Sequence, residues 1–166
     1  MHTVLSKVQL KVADEVWIVA ALLHREQPEK FDFSLEEIME RARKEHLTHH
    51  LRPGFYVHVV QHCVANRPPN PGRYRMLFET SSGRRRLFRQ GDPYHPAREG
   101  GKITPAIEDL SGRFGELLDW YREWSSIGAR KAAENDPLLA LRGSGKRLWR
   151  EEHADDYVRR LREGWE

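Results

Sequence analysis

Tyr74-Arg75-Met76-Leu77-Phe78-Glu79 and Arg85-Arg86-Leu87-Phe88-Arg89, separated by a turn at Ser81-Ser82-Gly83, form the stretch that decides the fold. Two runs rich in aromatic and apolar residues around turn chemistry read as a β-hairpin. The longer elements before it read as helices. The chain is therefore of the α+β class, with helices first and a hairpin after them.

Three helices are expected upstream. Lys11 to Arg25 places Val12, Val16, Val19, Ala20 and Leu23 at steps of three and four, on one face. Trp17 and Ile18 widen that face, so the helix should be well buried. The second helix starts at Ser34. Its hydroxyl can cap the Glu37 N–H, the Glu37 carboxylate can reach back to the Ser34 N–H, and Phe33 and Ile38 are placed as a hydrophobic staple. This helix should run to about Glu45, with Phe31 to Phe33 able to add a short strand. The third begins at Pro53, a residue suited to a first helical turn, and should reach Ala65. Phe55, Tyr56, Val59, Val60, Cys63 and Val64 give it a wide apolar side. His58, Gln61, His62 and Ala65 share the other.

Three helices followed by a hairpin is the order of a winged helix, in which the third helix can enter the major groove and the wing can lie along the backbone. Charge points the same way. Between Arg67 and Gln90 lie seven arginines against one acid, Glu79. Such an excess attracts a polyanion. On this reading Arg52, His58, Gln61 and His62 are offered to the groove. Arg67 flanks the third helix, and Arg73, Arg75, Arg84, Arg85, Arg86 and Arg89 face phosphates. A solvated basic hairpin with no partner is the plain alternative.

Downstream, residues 91–106 are rich in Gly and Pro and read as a linker or a strap. Ile107 to Trp124 returns to helical spacing, Ser125 to Asn135 reads as a connection, and an amphipathic helix is expected from about Ala154 to Arg162. The domains are thus expected at 1–96 (winged helix), 97–135 (linker and helix) and 136–166 (a helical, partly extended appendage). The net charge is +3 and 39% of residues are hydrophobic, which suggests a modest core with a polar remainder. One cysteine, Cys63, allows no intramolecular disulfide and suits a reducing cytoplasm. No apolar run approaches the ~20 residues that a membrane-spanning helix needs.

Two segments resemble known families. Ala13-Asp14-Glu15-Val16-Trp17, Arg52-Pro53-Gly54 and Asn66-Arg67-Pro68-Pro69-Asn70-Pro71-Gly72-Arg73-Tyr74-Arg75 together resemble a prokaryotic winged-helix-like domain family, over roughly residues 7–96. That resemblance implies a fold and no activity. Asp136-Pro137-Leu138-Leu139-Ala140-Leu141-Arg142-Gly143-Ser144-Gly145-Lys146, Leu148-Trp149, His153-Ala154-Asp155-Asp156-Tyr157-Val158-Arg159-Arg160-Leu161-Arg162 and Trp165 resemble the C-terminal tail of VapB-type antitoxins. Those antitoxins neutralise PIN-domain ribonuclease toxins, and their DNA-binding domains are commonly of other folds. The resemblance leaves operator binding and a possible homodimer open.

It implies a partner-binding set of Leu138, Leu141, Arg142, Lys146, Arg147, Leu148, Trp149, Tyr157, Leu161 and Trp165. Separated aromatic anchors with little core of their own suit a segment that orders on docking. The same aromatics packing back on the first domain is the alternative. The resulting expectation is an antitoxin-like, DNA-binding regulator. Its rivals are a winged-helix adaptor that contacts protein and an RNA-binding subunit of a nucleoprotein complex. No enzyme, cofactor or metal is expected. His58 and His62 are four apart, but Cys63 should face the core and there is no CxxC or HExxH motif. Gly143-Ser144-Gly145-Lys146 lacks the spacing of a phosphate loop.

Overall fold

The computed structural model describes residues 10–48, 50–110, 112–134, 137–141 and 154–163. The chain divides into two units, Met1–Ser126 and Ile127–Glu166. It is a mixed α+β protein. The first unit opens with α1 (Val12–Glu26), β1 (Phe33–Ser34) and α2 (Leu35–Glu45). A third helix follows, α3 (Phe55–Val57), continued as a wider π-helical turn over His58–His62. The hairpin strands are β2 (Leu77–Ser81) and β3 (Arg84–Leu87). All three strands form one antiparallel sheet in the order β1-β3-β2.

Helix α1 is the centre of the unit. Every residue from Ala13 to His24 is buried, including Asp14 and Glu15. A helix buried all round must carry apolar residues all round, and Val16-Trp17-Ile18-Val19-Ala20-Ala21-Leu22-Leu23 does. Its two buried acids are paired, Asp14 with Lys102 and Glu15 with Arg52. The opposite end of the helix carries His24, whose Nε2 accepts the Leu87 N–H at 3.2 Å.

The start of α2 follows from its local sequence. Ser34 Oγ accepts the Glu37 N–H at 3.2 Å, and Glu37 Oε2 accepts the Ser34 N–H at 2.8 Å. Phe33 and Ile38, on either side of this capping box, are both buried. Replacing Ser34 with alanine should cost about 1 kcal/mol. Urea denaturation followed by circular dichroism measures this, and an unchanged midpoint would mean that the box contributes nothing to stability.

The third helix is shorter than its apolar spacing suggests. Cys63 N–H bonds to the His58 carbonyl five residues back, and the Val59 and Val60 carbonyls accept from the Arg85 guanidinium instead. The chain then leaves the helix to join the sheet. Ala65 N–H donates to the Leu77 carbonyl and Leu77 N–H to the Cys63 carbonyl. Next to them the Asn66 side-chain amide pairs with both backbone groups of Glu79, each at 2.9 Å. It stands where a neighbouring strand would.

Residues 96–103 form a tightly held strap within the first unit. His95 N–H donates to the Ala65 carbonyl and Arg75 N–H to the Lys102 carbonyl. Gly101 lies so close to the hairpin that a Cβ there would sit 1.9 Å from the Arg73 carbonyl oxygen. Arg98 is fully buried, and its guanidinium donates to six carbonyls, those of Gln61, His62, Arg67, Pro68, Gly72 and Tyr74.

Beyond the strap the expected single helix is broken at first. Short 3-10 turns at Ile107–Asp109 and Gly112–Phe114 precede α4 (Glu116–Glu134). Gly112 and Gly115 punctuate the segment, whereas Ala-Arg-Lys-Ala-Ala-Glu after Gly128 favours helix, so α4 continues through what reads as a connection. Leu117, Leu118 and Tyr121 are buried, and Tyr121 meets Trp17 edge-on at 5.6 Å.

The second unit contains α5 (Pro137–Ala140) and α6 (Ala154–Glu163). No helix among the described residues is long and apolar enough to cross a membrane.

Candidate functional site

The arginines that read as a phosphate-binding wing are mostly engaged with the protein itself. Arg67 makes a two-pronged pair with Glu79, both bonds at 2.8 Å. Arg84 binds Asp32 at 2.6 Å. Arg85 is only 1% exposed and donates to Glu79 and to the Val59 and Val60 carbonyls. Arg86 makes two bonds to Asp92, at 2.6 and 2.8 Å, and lies between the Phe78 and Phe31 rings. Arg75 donates to the Gly101 carbonyl and stacks over Tyr94 at 4.3 Å.

Arg85 and Arg86 are therefore corrected from surface cations to interior ones. Removed from water, each guanidinium needs its donors satisfied within the protein. The Arg67 pair holds the Glu79 carboxyl below its usual range. Three of the seven hairpin-region arginines, Arg73, Arg75 and Arg89, have no carboxylate ion pair and remain at least part-exposed. Arg73 is exposed, and Arg89 lies 4.3 Å over the Trp124 ring.

The polar side chains of the π-helical turn are likewise engaged within the protein, though each stays part-exposed. Gln61 Nε2 donates to the Pro68 carbonyl at 2.6 Å. His58 Nδ1 lies 2.8 Å from the Gly54 carbonyl oxygen, and its ring meets that of His62 edge-on at 4.8 Å. Gly72 packs on His62, where a Cβ would come within 3.1 Å of the His62 Cβ. Burial, and then the neighbouring His58, push the His62 pKa down. Arg52 donates to the Leu10 carbonyl and to Glu15, tying α3 to α1 instead of offering itself to a groove. The exposed side of α3 carries Tyr56 and Val57, which are apolar and half-exposed.

Among the described residues no group of three or more His, Cys, Asp or Glu converges. Cys63 is fully buried, and its burial pushes the thiol pKa well up, so it sits in the core as a small apolar side chain.

In the second unit, Leu138 and Leu141 are 77% and 62% exposed and stand three residues apart, on one side of the α5 turn. Tyr157 and Leu161 belong to α6, but their side chains lie outside the described set. Arg142, Lys146, Arg147, Leu148, Trp149 and Trp165 lie outside the described residues.

Two features were missed by reading along the chain. Asp32 and Asp92 cancel hairpin charge from outside the Arg67-to-Gln90 window. Asp92 was within reach of a wider count, whereas Asp32 is 52 residues from Arg84 and carries no local signal. Arg98 gave no signal beyond being an arginine in a Gly/Pro-rich stretch. Comparison with family models, with curated proteins and with solved structures finds no match to this chain.

Proposed function

We propose that the protein is an antitoxin-like binding protein. Its second unit grips a protein partner such as a metal-dependent ribonuclease of the PIN class, and its first unit is a winged helix that contacts protein. The order of three helices and hairpin, with sheet order β1-β3-β2, supports the winged-helix reading. The observation that carries the adaptor role is the internal use of the hairpin arginines. A duplex-binding wing needs several uncancelled cations to release counterions, and this hairpin spends Arg67, Arg84, Arg85 and Arg86 on carboxylates. For the second unit, the exposed pair Leu138 and Leu141 supplies apolar anchors at helical spacing, a common mode of helix-in-groove recognition.

The DNA-binding regulator is the second reading, favoured by the exposed Arg73 on the approach to the hairpin. The two readings are separated by titrating the full chain with duplex DNA over a range of salt. Weak binding with a shallow salt slope is expected. A steep linear fall of log affinity with log salt, lost in Arg73→Gln, would transfer the proposal to DNA. For the second unit, the double variant Leu138→Asp/Leu141→Asp should abolish inhibition of a co-expressed PIN-type nuclease. Inhibition that survives the double change would remove α5 from the contact.

A further inference from the structure

One hairpin arginine is treated differently from its neighbours. The Arg89 guanidinium carbon lies 4.3 Å from the centre of the Trp124 ring, and Trp124 stacks on Trp120 with centroids 5.9 Å apart and rings inclined by 27°. Tyr121 stacks on the same indole at 6.0 Å. The result is an arginine on an aromatic shelf, with Arg89, Trp120 and Trp124 all partly exposed.

Asp92 offsets the Arg89 charge without forming an ion pair with its guanidinium. Asp92 gives its oxygens to the Arg86 guanidinium and to the backbone N–H of Arg89. Arg89 Nε is buried and has no hydrogen-bond partner. Burial and the adjacent Arg86 press the Arg89 pKa down, and Asp92 and Tyr121 offset this only in part. Nε is closed off, but Arg89 as a whole is part-exposed, so an incoming anion would meet the outer N–H groups of the guanidinium. The guanidinium fork matches a carboxylate with two parallel bonds, and Trp with Arg is the composition of a binding hot spot.

We propose that Arg89, laid on the Trp124–Trp120 shelf, is the docking point for a carboxylate side chain presented by an acidic segment of a protein partner. A protein source fits better than nucleic acid because the cations beside it on β3 are spent. Arg84, Arg85 and Arg86 are paired with Asp32, Glu79 and Asp92, so β3 offers no unbroken run of free cations for successive phosphates to follow. One carboxylate flanked by apolar residues meets both the guanidinium and the indole faces. This inference does not depend on how the second unit is used.

The test is calorimetric titration of the full chain with a short oligoglutamate peptide, with tryptophan emission as a second readout. Binding is expected, and Arg89→Gln should weaken it about tenfold, the loss that goes with one charged hydrogen-bonded pair. Arg89→Lys keeps the charge without the fork and should fall between the two. It serves as the folded comparison if the glutamine variant melts early. Arg122→Gln, on the exposed side of α4, should leave the affinity unchanged. The proposal is overturned by absence of binding at low salt, by an equal loss in Arg122→Gln, or by tighter binding of an oligothymidylate of matched charge.

Discussion

Arg98→Leu is expected to lower the stability of the first unit by about 4 kcal/mol, because several buried carbonyls lose their donor at once. The leucine would fill much of the space, but none of the carbonyls of Gln61, His62, Arg67, Pro68, Gly72 and Tyr74 would keep its arginine donor. Each buried acceptor left alone costs roughly 1–3 kcal/mol. Water entering the gap would recover part of this. Arg98→Lys should recover little, because an ammonium has three donors in a compact head and cannot span carbonyls arranged around a planar fork. Urea denaturation of both variants measures the effect, with proteolysis of the 66–74 loop as a local probe. A loss under ~1 kcal/mol for leucine would show that solvent replaces the guanidinium and that the strap is held by its backbone pairs alone.

The second large effect is an acid transition set by His24. The ring is buried between Phe33, at 4.9 Å, and Trp124, at 4.8 Å, with Nε2 accepting the Leu87 N–H. Burial first, and then the charges of Arg89 and Arg86, lower its pKa from 6.5 to about 3. The neutral form is thus the native one. An unfolded chain takes up the proton near pH 6.5, whereas the folded chain resists it until about pH 3. The contribution of this site is complete above pH 6.5. It is lost as the pH falls, by ~1.4 kcal/mol per pH unit until the lower value is reached. Over the whole window the loss is of order 4 kcal/mol. Carboxylates such as Glu79 add to the slope at the acid end, because their pKa values are also lowered in the fold. His24→Gln retains an acceptor for Leu87 and removes the titration. Its urea midpoint should fall less between pH 7 and pH 4.5 than that of the unaltered protein. Equal falls in the two proteins would assign the acid sensitivity to the carboxylates.

What could be read along the chain was local. The α2 capping box joins residues three apart, so Ser34 and Glu37 announce it without reference to the rest of the protein. The apolar run of α1 gives both its helicity and its burial. The hairpin follows from Ser82-Gly83 between two apolar stretches, with Gly83 at φ 73°. What was not legible depended on distance in sequence. The regular form of α3 ends early because Arg85, more than twenty residues later, takes the Val59 and Val60 carbonyls. The count of hairpin charge misled because Asp32 reaches back across 52 residues to Arg84. The Gly/Pro-rich stretch from Gly91 to Gly101 has the composition of a linker. It behaves as a packed element because Gly101 admits a backbone contact that any side chain would prevent.

The pairing of Asn66 with Glu79 bears on how this protein can assemble. The outer side of β2 would otherwise present backbone donors and acceptors ready to template a strand from another molecule. Leu77 is taken by the chain at Cys63 and Ala65, and Glu79 by an amide side chain that imitates a peptide group. Sheet growth along that edge would have to evict Asn66 first. Fibrillar stacking and swapped-strand dimers are thereby hindered on this side of the sheet.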